Sequence, residues 1–207
     1  MNSGLQCLLN TPPLIKLFHE KKAQPTVKER RDSTGLVHSL QNLFHYYWNP
    51  NEAGLNMQDF VKSMQGVYKD FDDYQQHDCQ EFLLALLSKL DEKIKKALGN
   101  DRSRISQIIP KCFQFMIQSE LTCSLCNFIK KEHQCFSSVP LSFPPAPYGR
   151  GSPTTPYDIY GLLTYFVNTE NLDKDNCWQC SDCGLKKSAT RSQAFCSLPN
   201  YLVIHLK

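Results

Sequence analysis

The sequence lacks the features of several protein classes. No stretch approaches the roughly 18 apolar residues needed to cross a bilayer, and residues 1–18 have no basic leader before their apolar positions, which Pro12-Pro13 interrupt. Neither a membrane span nor a secretory signal peptide is therefore predicted. The 23 Lys and Arg nearly balance the 20 Asp and Glu, and a net charge of +3 is too small to indicate nucleic acid or a membrane surface as a partner. There is no internal repeat and no low-complexity tract.

What is present is an ordinary globular composition with many cysteines. Hydrophobic residues make up 41% and charged residues 21% of 207 residues, which excludes a disordered or fibrous chain and allows one large domain or two small ones. Ten cysteines are nearly 5% of the chain. We expect a soluble intracellular protein, cytoplasmic or nuclear, with reduced thiols. In that setting clustered cysteines indicate metal binding or catalysis more often than disulfides.

Apolar residues in the first half recur at helical spacing. One helix is predicted over 36–47, capped by Ser33 or Thr34, and a second over 57–68, capped by Asn56. The longest predicted helix runs from about Asp78 to Leu98, and Gly99-Asn100 ends it.

The second half changes character after Pro110. Strands are predicted over 112–122, 132–139, 189–196 and 201–206, and a short helix over 157–167. Residues 140–156 hold six prolines and two glycines, which predicts a surface loop. Helices first and strands second indicate an α+β chain with segregated layers.

Two C-x-x-C pairs provide the strongest chemical signal. Cys123-Ser-Leu-Cys126 and Cys180-Ser-Asp-Cys183 are separated by 53 residues, and each lies beside a predicted strand. Each pair offers two thiolates on one side of a tight turn, and two pairs complete a tetrahedral zinc site. A redox pair is disfavoured, because such a motif is expected at a βα junction.

Cys177 leaves a choice open, because Cys177-Trp-Gln-Cys180 is a third, overlapping C-x-x-C. Gly184 frees the backbone for a turn directly after Cys183 and favours the Cys180/Cys183 pair. Four thiolates leave no open coordination position, so the predicted role of zinc is structural.

Cys7 is a candidate nucleophile. It lies just before a predicted helix, where the positive end of the helix dipole favours a thiolate. Asn2 lies five residues upstream, and the chain between them contains Gly4, so its amide is placed to stabilise an oxyanion. Taken alone, a cysteine beside Leu8-Leu9 is more often a core residue.

Three segments occur in a fixed order with the two C-x-x-C pairs between the last two. They are Asn2-x-Gly-x-x-Cys7-x-x-Asn10, Gln75-Gln-His-Asp78-Cys-Gln80-Glu81-Phe82 and Leu198-Pro-Asn-Tyr-Leu-Val-Ile-His-Leu-Lys207. Together they resemble the ubiquitin-specific protease family of papain-like cysteine peptidases, and the resemblance covers nearly the whole chain.

This resemblance implies a fold described as a hand. A helical thumb carries the cysteine, β-rich fingers with a four-cysteine zinc ribbon grip ubiquitin, and a palm completes the site. Cys7 would attack the carbonyl of ubiquitin's C-terminal glycine and Asn2 would stabilise the oxyanion. Asp78 would bind the arginine-containing ubiquitin tail, although an acid at a helix start is more often a cap. The implied zinc ligands are Cys123, Cys126, Cys180 and Cys183.

The sequence departs from the family pattern in two places. Pro12 and Pro13 would break a helix already under way at Cys7, unless Thr11 caps a new helix that begins at Pro12. None of the six histidines stands in the Gly-His-Tyr context that supplies the family's general base. We therefore expect residues 1–207 to be part of a catalytic domain, with a thumb over 1–110 and fingers and the start of the palm over 111–207, truncated before the histidine region.

The sequence is compatible with three functions. The first is hydrolysis of the isopeptide bond between a lysine and ubiquitin or a ubiquitin-like modifier. The second is an inactive relative that binds ubiquitin or a partner. The third, a zinc ribbon for nucleic acid, rests only on Lys130-Lys131 and Lys186-Lys187 and is the least favoured. The sequence does not predict an oligomeric state.

Overall fold

The computed structural model describes residues 2–19, 35–52, 54, 57–71, 77–98, 106–144 and 158–207. The chain divides into two compact units, Met1–Cys112 and Phe113–Lys207. Within the described ranges, no helix is both long enough and apolar enough to cross a membrane.

The first unit is built from helices. They are α1 (Asn2–Leu9), α2 (Pro12–Phe18), α3 (Leu36–Trp48), α4 (Met57–Val67), α5 (Cys79–Leu98) and α6 (Ile108–Phe113), the last of which ends at the start of the second unit. The three long predicted helices are thus confirmed. Gly35 occupies the N-cap of α3. The predicted caps Ser33, Thr34 and Asn56 and the predicted stop at 99–100 lie outside the described residues.

Helical periodicity places one face of each long helix in the core. Leu86 and Leu90 of α5, four residues apart, are completely buried, as the 3.6-residue period requires. The rings of Phe18 in α2 and Phe44 in α3 stack with centroids 5.2 Å apart. The buried hydroxyls of Ser39 and Ser63 satisfy each other across α3 and α4 at 2.6 Å, as buried polar groups must.

The second unit contains eight described strands and one α-helix that begins and ends within it. They are β1 (Phe115–Cys123), β2 (Ile129–Phe136), β3 (Val139–Leu141), α7 (Ile159–Val167), β4 (Glu170–Leu172), β5 (Trp178–Gln179), β6 (Lys186–Lys187), β7 (Ala189–Ser197) and β8 (Ile204–Leu206). An antiparallel sheet has the order β2-β1-β7-β4, β3 pairs with β8 in parallel, and β5 and β6 form a hairpin.

One face of the four-stranded sheet forms the core of this unit. Phe115 and Ile117 of β1 alternate inward and pack with Val139, Leu141 and Leu162. The side chain of Asp158 caps α7 by accepting a hydrogen bond from the Gly161 amide at 2.7 Å. The α+β architecture with segregated helices and strands is confirmed.

Two local predictions were wrong. Cys112 and Phe113 belong to α6 and not to a strand, since Pro110 lies in the first turn of that helix, where a missing N–H costs little. Pro140 lies in strand β3 and not in a loop. In parallel pairing with β8, a proline is tolerated because β3 is bonded on one side only in the described sheet. Residues 142–144 have no regular secondary structure, as predicted, and the rest of that proline-rich segment, 145–156, is outside the described residues.

Candidate functional site

The two C-x-x-C pairs form turns with the same hydrogen-bond pattern. In the first, the Cys123 amide donates to the Phe128 carbonyl and the Asn127 amide donates to the Cys123 carbonyl, both at 3.0 Å. In the second, Cys180 donates to Leu185 and Gly184 donates to Cys180, both at 3.1 Å. The fifth residue of each turn is left-handed, with φ of 58° at Asn127 and 69° at Gly184.

This left-handed position explains one correct prediction and one omission. Gly184 is where the sequence predicts a tight turn, because glycine adopts positive φ without strain. Asn127 serves the same purpose in the first turn, and asparagine is the residue type other than glycine that most readily does so. Asn127 is therefore a second residue in the sequence that indicates a tight turn, and the prediction did not include it.

The turns bring four thiols together. The ligand atoms of Cys123, Cys126, Cys180 and Cys183 all lie within 4.8 Å of one another, and the sulfurs of Cys126 and Cys180 are 3.7 Å apart. Four sulfurs around zinc at 2.3 Å would be separated by about 3.8 Å, the edge of a regular tetrahedron. The cluster therefore has the composition and the size needed to hold a metal ion.

Backbone hydrogen bonds favour the ionised form of one thiol of the cluster. Backbone amides of Cys126 and Leu125 lower the pKa of the Cys123 thiol to about 7. The Phe128 amide lowers the pKa of Cys126, but desolvation and the neighbouring thiols outweigh it and raise that pKa to about 12. Four thiols that share a small volume cannot all ionise without a compensating cation.

Of the overlapping C-x-x-C pairs, the structure brings the Cys180/Cys183 pair into the cluster. Cys177 precedes strand β5, and the cluster is completed by Cys180 and Cys183 at the far end of the β5–β6 hairpin.

The charges of the two lysines on β2 are partly neutralised, since Lys130 pairs with Glu132 at 2.6 Å and Lys131 with Glu120 at 2.7 Å. The Lys131 ammonium lowers the pKa of Glu120.

Cys7 is exposed, and its place in the helix differs from the prediction. It lies in the last turn of α1, not before or at the start of a helix. A helix C-terminus carries negative partial charge, so the predicted support from a helix dipole does not apply. Helix α1 was not predicted; residues 2–9 include Gly4 but no proline that would break a helix.

The prolines that follow Cys7 are accommodated by a break between two helices. Thr11 occupies the N-cap of α2, and Pro12 and Pro13 lie in its first turn, where their missing N–H groups need no partner. This confirms the predicted helix start at Pro12. The Thr11 hydroxyl does not cap α2 but donates to the Cys7 carbonyl at 2.9 Å.

All four carbonyls at the end of α1 have donors. The amide and side chain of Asn10 bond to Gln6, the Thr11 hydroxyl to Cys7, the Thr11 amide to Leu8, and the Trp48 indole to Leu9 at 3.0 Å. The last four carbonyls of a helix have no partner within it, so external donors are required. Because Trp48 ends α3, this bond fixes the end of α1, next to Cys7, against another helix.

Asp78 serves as the cap of α5. One of its carboxylate oxygens accepts from the Gln80 amide at 2.6 Å and from the Glu81 amide at 3.4 Å. Asp78 also borders an open groove of about 590 Å³. The groove is lined by Tyr68, Asp78, Gln80, Glu81, Leu84, Ala85 and Ser88.

Two carboxylates on this groove suit a cationic, extended ligand. Gln80 and Glu81, which the sequence shows only as part of the Gln75–Phe82 motif, also line the groove. The side chain of Asn2 and the residues Gln75 and Gln76 lie outside what the structure describes.

Comparison with known proteins identifies the family. The family model for ubiquitin carboxyl-terminal hydrolase matches residues 1–207. The chain belongs to this family. The resemblance drawn from the sequence motifs is thereby confirmed.

Several curated members of the ubiquitin carboxyl-terminal hydrolase family match all of this chain. Ubiquitin carboxyl-terminal hydrolase 4 of Candida glabrata is 26% identical, and the chain covers 27% of it. Ubiquitin C-terminal hydrolase 22 of Arabidopsis thaliana is 24% identical, with 40% covered, and probable ubiquitin carboxyl-terminal hydrolase 16 of Schizosaccharomyces pombe is 26% identical, with 44% covered. The chain therefore spans less than half the length of these relatives.

A solved structure shares the fold of this family member. The SAGA Ubp8/Sgf11/Sus1/Sgf73 DUB module bound to ubiquitin aldehyde contains a chain that matches with a TM-score of 0.76 at 20% identity. The match covers 100% of the present chain and 44% of the other. At this identity, the likeness establishes the architecture.

Proposed function

We propose that this chain is part of a thiol-dependent deubiquitinating hydrolase that cleaves the bond after the C-terminal glycine of ubiquitin or a ubiquitin-like modifier. The observation that carries this proposal is the family match over residues 1–207. Two features of Cys7 add support. Its thiol is exposed, and several hydrogen bonds hold the C-terminal end of its helix. Ubiquitin and its conjugates are the proposed partners.

The proposed chemistry assigns a role to each site residue. The Cys7 thiolate attacks the glycine carbonyl, the carbonyl oxygen takes up negative charge, and Asn2 stabilises that charge. The isopeptide bond then breaks as the lysine amine takes up the proton that the Cys7 thiol had lost. Water hydrolyses the thioester to the free thiol and the carboxylate of ubiquitin. The carboxylates of Asp78 and Glu81 attract the basic tail of ubiquitin into the groove beside α5.

The four-cysteine cluster is proposed to hold a structural zinc ion. The cluster would be closed, since four thiolates fill a tetrahedral site, and its metal would stabilise the fold instead of reacting with substrate. Zinc requires deprotonated, reduced thiols, and all ten cysteines are free of disulfides. These points support a reducing intracellular setting, which we propose is the cytoplasm or the nucleus.

Labelling with a ubiquitin that carries an electrophile at its C-terminus tests the catalytic role. The protein should be expressed from its complete coding sequence, and the modified residue mapped by mass spectrometry. We expect an adduct on Cys7 and none in Cys7→Ala, with Cys135→Ala as a matched control, since Cys135 is also exposed but lies on β2. An unlabelled wild-type protein, or an adduct on another cysteine, would refute the role of Cys7.

A second function, ubiquitin binding without hydrolysis, is favoured by one observation. Cys7 lies in the last turn of its helix, where the helix dipole gives a thiolate no support. A cysteine whose thiolate is not stabilised is a poor nucleophile at neutral pH. Binding of ubiquitin that persists in Cys7→Ala, together with no hydrolysis by the complete wild-type protein, would establish this function over the first.

A further inference from the structure

Helices α1 and α5 come close together at Gly4. A Cβ atom built on Gly4 would lie 2.9 Å from the Sγ atom of Cys79, the first residue of α5. Favourable contacts between heavy atoms occur at about 3.5–4.0 Å. No residue larger than glycine fits at position 4 unless Cys79 or one of the helices moves.

This contact lies one helical turn before Cys7. Residues three apart on a helix are neighbours along one side of it, so the position of Gly4 against α5 governs the position of Cys7. The other end of α1 is fixed by the bond from the Trp48 indole to the Leu9 carbonyl at 3.0 Å. Cys7 therefore lies between two anchors, one on α5 and one on α3.

The neighbouring packing does not replace the anchor at Gly4. Leu5 borders an apolar cavity of about 90 Å³ that also touches Phe60 and Phe82. The packing beside Leu5 is therefore less tight than the contact at Gly4. The contact between Gly4 and Cys79 is therefore a tight point where α1 meets α5.

We propose that Gly4 and Cys79 are positioning residues that set the distance between the helix of Cys7 and the start of α5. Asp78 directly precedes Cys79 and borders the acidic groove, so the contact fixes the nucleophile relative to the groove that receives the ubiquitin tail. This inference rests on the proposed function of Cys7. In this proposal neither Gly4 nor Cys79 touches substrate, and both act through the placement of Cys7.

A size-exchange experiment tests the proposal. Gly4→Ala, Cys79→Ala and the double variant are compared with wild type in the complete protein, and the rate of Cys7 labelling is measured at increasing concentrations of electrophilic ubiquitin. We expect Gly4→Ala to lower the maximal labelling rate about 10- to 100-fold, since a displacement near 1 Å has effects of this size. The half-saturating concentration should change little. The double variant should recover most of the rate, because the alanine methyl group then occupies the space of the missing sulfur.

Two controls separate positioning from loss of fold. Gly66 is also a helical glycine, in α4, but a Cβ there meets no atom within 4 Å, so Gly66→Ala should label at the wild-type rate. Iodoacetamide should modify Cys7 equally fast in wild type and Gly4→Ala, because the thiol stays exposed. Thermal unfolding of each variant shows whether it is folded during labelling.

The outcomes distinguish this proposal from the one on which it rests. Unlabelled wild-type protein would refute the proposed function. Normal wild-type labelling together with an equally fast Gly4→Ala would overturn only the positioning role, and would mean that the Cys79 side chain simply rotates away. A double variant as slow as Gly4→Ala would also overturn it, since the defect would then not arise from this contact.

Discussion

Replacing one cluster cysteine should release the metal, while replacing its unused neighbour should not. Cys180→Ser and Cys177→Ser make the same chemical change three residues apart on the same hairpin. Only the first removes a ligand from the cluster. The pair therefore isolates coordination from general effects of losing a thiol in this segment.

The geometry of the four-cysteine cluster gives the expected loss of zinc affinity in Cys180→Ser. The Cys126 and Cys180 sulfurs are 3.7 Å apart, close to the edge of about 3.8 Å for tetrahedral zinc, so the ligands require little movement to bind. Loss of an outer partner of a metal ligand weakens binding about 10- to 100-fold, so loss of a ligand should weaken it at least about 100-fold, or about 2.8 kcal/mol. In the wild type, free zinc at 100 times its Kd would stabilise the fold by about 2.7 kcal/mol.

Metal content and local protection are the measurements. Elemental mass spectrometry should find one zinc per chain in wild type and in Cys177→Ser, and clearly less in Cys180→Ser. Hydrogen exchange should become faster at 123–128 and 180–188 in Cys180→Ser and in chelator-treated wild type, because those turns are held by the ligands they carry.

Two results would refute this reasoning. Full zinc content in Cys180→Ser would show that the four thiols do not form the site. Loss of zinc in Cys177→Ser with retention in Cys183→Ser would show that the overlapping pair Cys177/Cys180 supplies the ligands, contrary to the arrangement in the structure.

Two further predictions concern the segment of Cys7 and the remaining thiols. Thr11→Val should destabilise the first unit by about 1–3 kcal/mol in chemical denaturation, because Thr11 is buried and the Cys7 carbonyl loses its donor. The same change at exposed Thr164 should have little effect, and equal effects at both positions would contradict this. In timed alkylation of the native protein, the exposed thiols of Cys7, Cys135 and Cys196 should react first. Cys112 should react only on unfolding, because it is buried and burial raises the pKa of its thiol. Early modification of Cys112 would contradict this and would show that the core around it opens in the native protein.

Local patterns in the sequence predicted the elements that depend on neighbouring residues. The period of α5 is visible from Phe82 to Ile94 because an amphipathic helix buries one face whatever it packs against. The C-x-x-C pairs predicted which four thiols lie together, because each tight turn brings two thiols together within four residues. Gly184 indicated the pair that lies in the cluster, since its turn needs a left-handed residue.

Elements that depend on distant partners were mispredicted or missed. Pro140 lies in a strand only because β8, more than sixty residues later, pairs beside it. Strands β4, β5 and β6 contain two or three residues each, too few to show a period-two pattern. Their strand conformation comes from pairing with β7 or with each other.

The sequence alone determined the family, the α+β class and the identity of the thiols, because motifs and short-range periods are properties of the chain itself. Only the tertiary structure decided where Cys7 lies in its helix and what holds it there. The Leu9 carbonyl is satisfied by Trp48, 39 residues away, and Gly4 is confined by Cys79, 75 residues away. Such contacts form only when helices pack, because hydrogen bonds and steric limits act between atoms in space and leave no periodic pattern along the chain.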